Sequence, residues 1–281
     1  MTSEEGAPAP TGVALEREVE RLRAELDGER RRLRDELAFA RRVQLNLMPV
    51  TPPTFPGWEI ATAYRAAREI GGDFFDLYEL PGRASMLGFV VADVTGKGVT
   101  AALMMAFSRA VLRSAAYNGA GPADALRRTN RVLVHEARTG LFLTAYVGWL
   151  DTTSGVLRWA SAGHEAPLII RGSTGRVSRL RAAGELLGLF DPLTLRDRST
   201  VLRPGDVLVA HSDGVPDTRD PDGRFFGDRR YLDLARRSAS AGAQALVASV
   251  VDGAERFRGA AAAADDLTIL AISRAAAGGT A

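Results

Sequence analysis

GFVVADVTGKGVTAALMMA, residues 88–106, reads as a strand, a glycine-flanked loop and a helix in direct succession. The run from Gly88 to Ala92 is apolar without alternation, as in a strand covered on both faces, and it ends on Asp93. A carboxylate is thereby delivered to a sheet edge. Three further motifs place acids in the same way. DVLVAHSDG (206–214) runs apolar into Asp213, GGDFFD (71–76) sets Asp73 ahead of a strand, and DDLT (265–268) sets Asp265 and Asp266 ahead of another. An isolated buried carboxylate is costly to ionise, so several converging at one edge require a cation among them. Ligation by oxygen alone selects Mg2+, Mn2+ or Ca2+ over zinc.

Composition narrows the class. The chain has 281 residues, 46% of them hydrophobic, which is enough for a sizeable core in one or two domains. A formal net charge of +2 implies no dedicated nucleic-acid surface. There is no cysteine, which excludes disulfides, thiolate zinc sites and cysteine-based phosphatase chemistry. No apolar run reaches the roughly 18 residues of a membrane span and no signal-peptide core opens the chain, so a soluble cytoplasmic protein is expected. Lys97 in TGKG is the one lysine among 36 basic residues. A Walker A loop needs GxxxxGK followed by Ser or Thr, whereas here Gly98 follows the lysine and Val91 stands where the first glycine belongs. TGKG reads instead as a tight turn into a helix whose N-terminal amides suit an anionic substrate, with Lys97 beside it.

Residues 1–13 are rich in Pro, Gly, Ala and Glu and read as a disordered tail. A helix follows over 14–49. Leu15, Val19, Leu22 and Leu26 form one heptad seam and Leu33, Leu37, Ala40, Gln44 and Leu47 a second, joined out of step at Arg30. A coiled coil pairing two protomers is expected, with an amphipathic helix lying on the domain as the alternative. Pro49, Pro52, Pro53 and Pro56 stop the helix and open a domain at 50–274, before a second tail at 275–281. Within that domain WEIATAYR, FFDLYEL and SMLGFVVADV read as strands, followed by helices from about Val99 to Ala116 and Pro122 to Arg138. FLTAYVGWLD, GVLRWASAG and APLIIRG then read as a meander, 228–237 and 242–258 as helices, and 267–273 as a closing strand. Hairpins with helices set apart from them favour an antiparallel α+β fold.

The strings AREIGGDFFDLYEL, VVADVTGKGVTAALMMA, LTAYVGWLD, WASAGHEAPLII, LRPGDVLVAHSDGVPD, FFG and DDLTILAI run from about Leu37 to Ser273. In wording and order they resemble the SpoIIE-type branch of the metal-dependent type 2C protein serine/threonine phosphatases. The resemblance implies a four-layer αββα sandwich, two mainly antiparallel sheets flanked by helices, preceded by the N-terminal coiled-coil helix. It also implies two ions, Mn2+ or Mg2+, bridged by Asp93. Asp73 and the main-chain carbonyl of Val94 would serve one ion, and Asp213 and Asp265 the other. The nucleophile would be a water shared by the ions, with no protein nucleophile. Asp266 and Lys97 are candidate supports, as is His211, which two residues before Asp213 would share its strand face. His164 reads as structural, His135 as ordinary, and Asp76 and Glu79 as solvated. The wider family's histidine near the bridging aspartate is Thr95 here and its phosphate-binding arginine is Glu69, with Arg65 and Arg68 close by. The general acid and the phosphate clamp are left unassigned.

The activity implied is hydrolysis of phosphoserine or phosphothreonine on a protein, the likeness pointing to a phosphorylated STAS-type anti-anti-sigma regulator in a partner-switching pathway. An upstream activator would then act through the N-terminal helix of a homodimer. The competing class is a non-catalytic, phosphatase-like module that sequesters a regulator. Four intact acids argue against it.

Overall fold

The run at 88–92 becomes an interior strand, β3 (Met86–Val94), buried without interruption from Leu87 to Ala92. The computed structural model describes residues 12–137 and 140–276, and the side chains of 13–15 are outside that description. The expected tails at 1–13 and 275–281, Arg138 and the side chain of Leu15 therefore fall wholly or mostly outside the described residues.

Two five-stranded sheets form the centre, and every strand pairing within them is antiparallel. One runs in the order β2 (Phe74–Glu79), β3, β4 (Leu143–Asp151), β5 (Val156–Ala162) and β8 (Arg198–Val201). The other runs β1 (Trp58–Arg65), β10 (Leu267–Arg274), β9 (Val207–His211), β6 (Leu168–Ile170) and β7 (Val177–Arg179). Side-chain alternation along β9 and β10 shows why both sheets are covered twice. Leu208, Ala210, Leu270 and Ile272 enter a core shared with Phe75, Leu77, Phe89 and Val147 of the facing sheet. Val207, Val209, Ile269 and Ala271 point the other way, against Tyr231, Leu246 and Val250. Each fully buried large aliphatic or phenylalanine side chain, Phe74 and Phe89 among them, contributes about 1.5–3 kcal/mol relative to exposure.

Helices α2 (Val99–Tyr117) and α3 (Pro122–Val132) cover the first sheet; α4 (Gly227–Ser238) and α5 (Ala243–Arg258) cover the second. The four-layer sandwich expected from the sequence is the observed architecture. Helix α2 has the length and apolar composition of a membrane span, 19 residues at mean hydropathy 1.2. Here it packs on β2 and β3 and buries Met104, Met105 and Leu112.

Two differences from the sequence reading stand out. APLIIRG does not extend the meander: β6 crosses to the other sheet and pairs with β9 and β7. The chain turns at Gly163, whose φ of 68° few other residues adopt, and alternation alone cannot say which sheet receives the next strand. The second helix leaves regular α geometry at Val132 and continues as a π-turn over Leu133–Ala137. Helix α1 (Gly12–Leu47) ends where the prolines begin. The chain divides into two compact units, one up to Val43 and one from Gln44 onward. Along the first unit Val19, Leu22, Leu26 and Leu33 are all exposed, as an unpaired heptad seam would be.

Candidate metal centre

Four loops meet at one end of the two sheets. Asp93 is the penultimate residue of β3, opposite Thr144 on β4. Asp73 stands immediately before β2, is buried, and accepts a 2.7 Å hydrogen bond from the Thr268 hydroxyl of β10. Asp213 lies two residues beyond β9, and Asp265 two residues before β10.

The loops are held together by close backbone approaches that only glycine allows. A Cβ on Gly72 would stand 2.7 Å from the Val94 carbonyl oxygen, so the GGD loop presses directly on that oxygen. A Cβ on Gly214 would stand 1.8 Å from the Asp266 carbonyl oxygen, which makes Gly214 a steric necessity between the SDG and DD loops. Asp266 organises the same region with its side chain. Its carboxylate accepts backbone N–H bonds from Ala67 (2.8 Å), Gly72 (2.7 Å) and Asp73 (3.3 Å), occupying both oxygens. Asp266 is thus a strut, and Asp265 the more exposed neighbour.

Electrostatics identify the cluster as one unit. Burial, then the nearby Asp93 and Asp266, hold the Asp73 carboxyl well above the usual carboxylate range. Burial and Asp213, with smaller contributions from Asp265 and Asp266, push Asp93 up to about 7. Asp213 is raised by burial and then by Asp265. Asp93 raises Asp73, Asp213 raises Asp93 and Asp265 raises Asp213, while a hydrogen bond with Asp73 works in the opposite direction at Asp93. Divalent cations among them would remove that repulsion, and an oxygen-only donor set fits Mg2+ or Mn2+. Among the described residues no three carboxylate or imidazole groups close around a single ion position. Asp265 Oδ2 is engaged by Lys97 Nζ at 3.1 Å, and the same ammonium donates to the Ala264 carbonyl at 2.5 Å.

The remaining sequence candidates separate cleanly. His211 is the last residue of β9, so the two-residue period that would align it with Asp213 stops there. Its ring meets Tyr231 edge-on at 4.4 Å, on the helix side of the sheet. His164 is buried and its Nδ1 is 2.7 Å from the hydroxyl of Thr144, the residue opposite Asp93. Burial, then the neighbouring His211, hold the His164 imidazole at about 3, so it is neutral. Thr95 exchanges hydrogen bonds with the backbone of Phe142 and closes the base of the loop. Asp76, read as solvated, is buried between Arg109 and Arg113 of α2, because its place on β2 points it at the helix and not at water. Glu79 is exposed, as expected.

Two cavities flank the acids. A cleft of about 110 Å³ is lined by Asp93, Thr144, Gly163, His164, Glu165 and Asp213. A larger one, about 390 Å³, brings Arg65, Arg219 and Arg258, with Glu255 paired to Arg65, to the neighbourhood of Asp265. Arg219 and Arg258 carry no motif, and nothing in their local sequence distinguishes them from the other arginines. Gln44, which reads as a seam position, is buried against the GGD loop.

Comparison with known proteins agrees with this geometry. Residues 84–275 match the family model described as Stage II sporulation protein E (SpoIIE). The chain is 30% identical over 272 residues to Protein IcfG of Synechocystis, covering 85% of this chain and 41% of that one. It is 26% identical over 250 residues to the phosphoserine phosphatase RsbU of Bacillus subtilis, covering 89% and 73%. The chain therefore spans less than half of the first relative's length and about three quarters of the second's. The SiaA-PP2C domain of Pseudomonas aeruginosa superposes with a TM-score of 0.76 at 25% identity, over 87% of this chain and 98% of that domain. On the matched domain and the fold beneath it, the chain belongs to the SpoIIE family, the SpoIIE-type branch of the PP2C phosphatases.

Proposed function

We propose that this protein is a metal-dependent protein serine/threonine phosphatase. The observation that carries the reading is the convergence of Asp73, Asp93, Asp213 and Asp265 at one edge of the sandwich, where burial and neighbouring carboxylates raise the first three, an arrangement that costs stability unless cations offset it. Asp73, Asp93 and the Val94 carbonyl would hold one ion, and Asp93, Asp213 and Asp265 a second, either Mn2+ or Mg2+. Bound there, the ions supply a water deprotonated near neutral pH and charge neutralisation on the phosphoryl oxygens.

The chain's own residues do the rest. Asp266 fixes the backbone from Ala67 to Asp73, so the carboxylate that follows is presented in one orientation. His164 is neutral near pH 7 and orients Thr144 beside Asp93, which supports positioning and not proton donation. No side chain caps α2 at Gly98, which leaves its first-turn amides free to face an anion. Arg65, Arg219 and Arg258 add positive potential around the cavity beside Asp265, suited to a phosphorylated, acidic protein segment.

The substrate class we infer is a phosphorylated STAS-type anti-anti-sigma protein, supported by the likeness to RsbU. Regulation would enter through α1, pairing two protomers along its exposed seam. A phosphatase-like module that only sequesters its partner is the competing reading. Hydrolysis of a generic phosphate ester across a Mn2+ titration, with Asp93→Asn alongside, separates the two. Turnover that rises with Mn2+ and is lost in Asp93→Asn is expected. Tight Mn2+ binding with no turnover on any phosphoprotein offered would favour the sequestering module.

A further inference from the structure

We propose that Gln44, in the last turn of α1, is a positioning residue for the metal centre. The proposal rests on the metal-site reading above and adds a residue that no acidic motif contains.

Gln44 is 5% exposed and both ends of its carboxamide are used on one residue. Nε2 donates to the Gly71 carbonyl at 2.7 Å, and Oε1 accepts from the Gly71 N–H at 3.1 Å. The side chain thus pairs with a backbone unit as a neighbouring strand would. A buried amide costs free energy unless both donor and acceptor are satisfied, and methionine would fill similar space in a helix without that requirement. The amide's purpose at this position is therefore Gly71.

Gly71 is where the acidic loop begins. It cannot carry a side chain, since a Cβ would fall 2.0 Å from Asp266 Oδ2 and 2.3 Å from the Tyr64 hydroxyl. Gly72 is pinned next, by its N–H to Asp266 and by its approach to the Val94 carbonyl, and Asp73 follows. The loop is thereby clamped by Asp266 on one side and by Gln44 on the other. Releasing Gln44 frees both polar groups of Gly71 and loosens the path to Asp73 and to the Val94 oxygen it presses on.

The test measures Mn2+ affinity by calorimetry and amide hydrogen exchange over residues 66–74, on the full chain. Gln44→Met is compared with wild type and with Val250→Ala, a cavity in the α5 core remote from the loop. Gln44→Met is expected to weaken Mn2+ binding by roughly 10–100-fold, the range for partners that orient metal ligands, and to speed exchange at Gly71 to Asp73. Val250→Ala is expected to lower the melting temperature and leave Mn2+ affinity unchanged. Wild-type Mn2+ affinity in Gln44→Met, or an equal loss in Val250→Ala, overturns the proposal while leaving the metal centre standing. Absence of Mn2+ binding in wild type overturns both. Should Gln44→Met fail to fold, Gln44→Glu retains the acceptor for the Gly71 N–H and lacks the donor; unchanged affinity there overturns the proposal equally.

Discussion

Asp76→Asn offers the sharpest test of how the sheet and the α2 helix are joined. Asp76 is 1% exposed on β2. Its Oδ1 accepts from Arg109 Nη2 at 3.0 Å and from its neighbour's Leu77 N–H at 2.9 Å, and its Oδ2 from Arg113 Nε at 2.8 Å. Arg113 Nη2 also contacts Oδ1, and the Arg113 guanidinium lies over the Tyr78 ring. Asparagine keeps the shape but removes the charge and turns an N–H2 toward two guanidinium groups. Removing one partner of a buried ion pair costs about 3–5 kcal/mol, because the other charge is left uncompensated. For a domain of this size, 1 kcal/mol moves Tm by about 2–4 °C, so a fall of roughly 6–20 °C is expected in thermal unfolding followed by circular dichroism. Asp124→Asn, which breaks a largely exposed pair with Arg128, should shift Tm far less. Replacing all three groups by apolar residues, Asp76→Leu with Arg109→Met and Arg113→Met, should recover most of the loss. A fall below about 3 °C in Asp76→Asn, close to 1 kcal/mol, would refute the reasoning and place this triad with ordinary surface pairs.

Other outcomes follow from the same structure. Gly214→Ala forces a Cβ to within 1.8 Å of the Asp266 carbonyl; a destabilisation of about 1–3 kcal/mol is expected in urea unfolding, with a disproportionate loss of turnover as Asp213 is displaced. Burial lowers the folded His164 pKa to about 3, against an ordinary imidazole's 6.5. Between those values the unfolded chain binds the extra proton, so the stability it contributes is present above pH 6.5 and is lost as pH falls toward 3. His164→Leu should flatten stability against pH over that window by up to about 1.4 kcal/mol per pH unit; an unaltered slope would show that His164 does not titrate on unfolding. Deleting residues 1–36 should change oligomeric mass in light scattering or alter turnover; if neither moves, α1 is not the regulatory or pairing element proposed for it.

Much of the fold was legible because its strands obey simple patterns. The unbroken apolar runs at 88–92 and 207–210 had to be interior strands, and the long helices at 99–117 and 243–258 carry their own periodicity. The crossing of β6 to the second sheet was not legible, since LII would pair equally well with either neighbour. β8 was also missed, because RSTV is a polar edge strand with little to mark it.

The acids at strand junctions were readable as a set, since each stands where an apolar run stops and a glycine-flanked loop begins. Their order along the chain determined which family the protein resembles, and that required no coordinates. Tertiary structure alone separated Asp265 from Asp266, because identical neighbouring carboxylates differ only in what surrounds them: three backbone N–H groups for one, Lys97 for the other. It alone set His211 against Tyr231, buried Asp76 under two arginines, and brought Gln44 onto Gly71 across 27 residues of chain. Sequence patterns encode local periodicity and the chemistry each residue offers. Which groups then satisfy one another depends on long-range packing, where burial makes every unpaired charge or amide costly enough to select its partner.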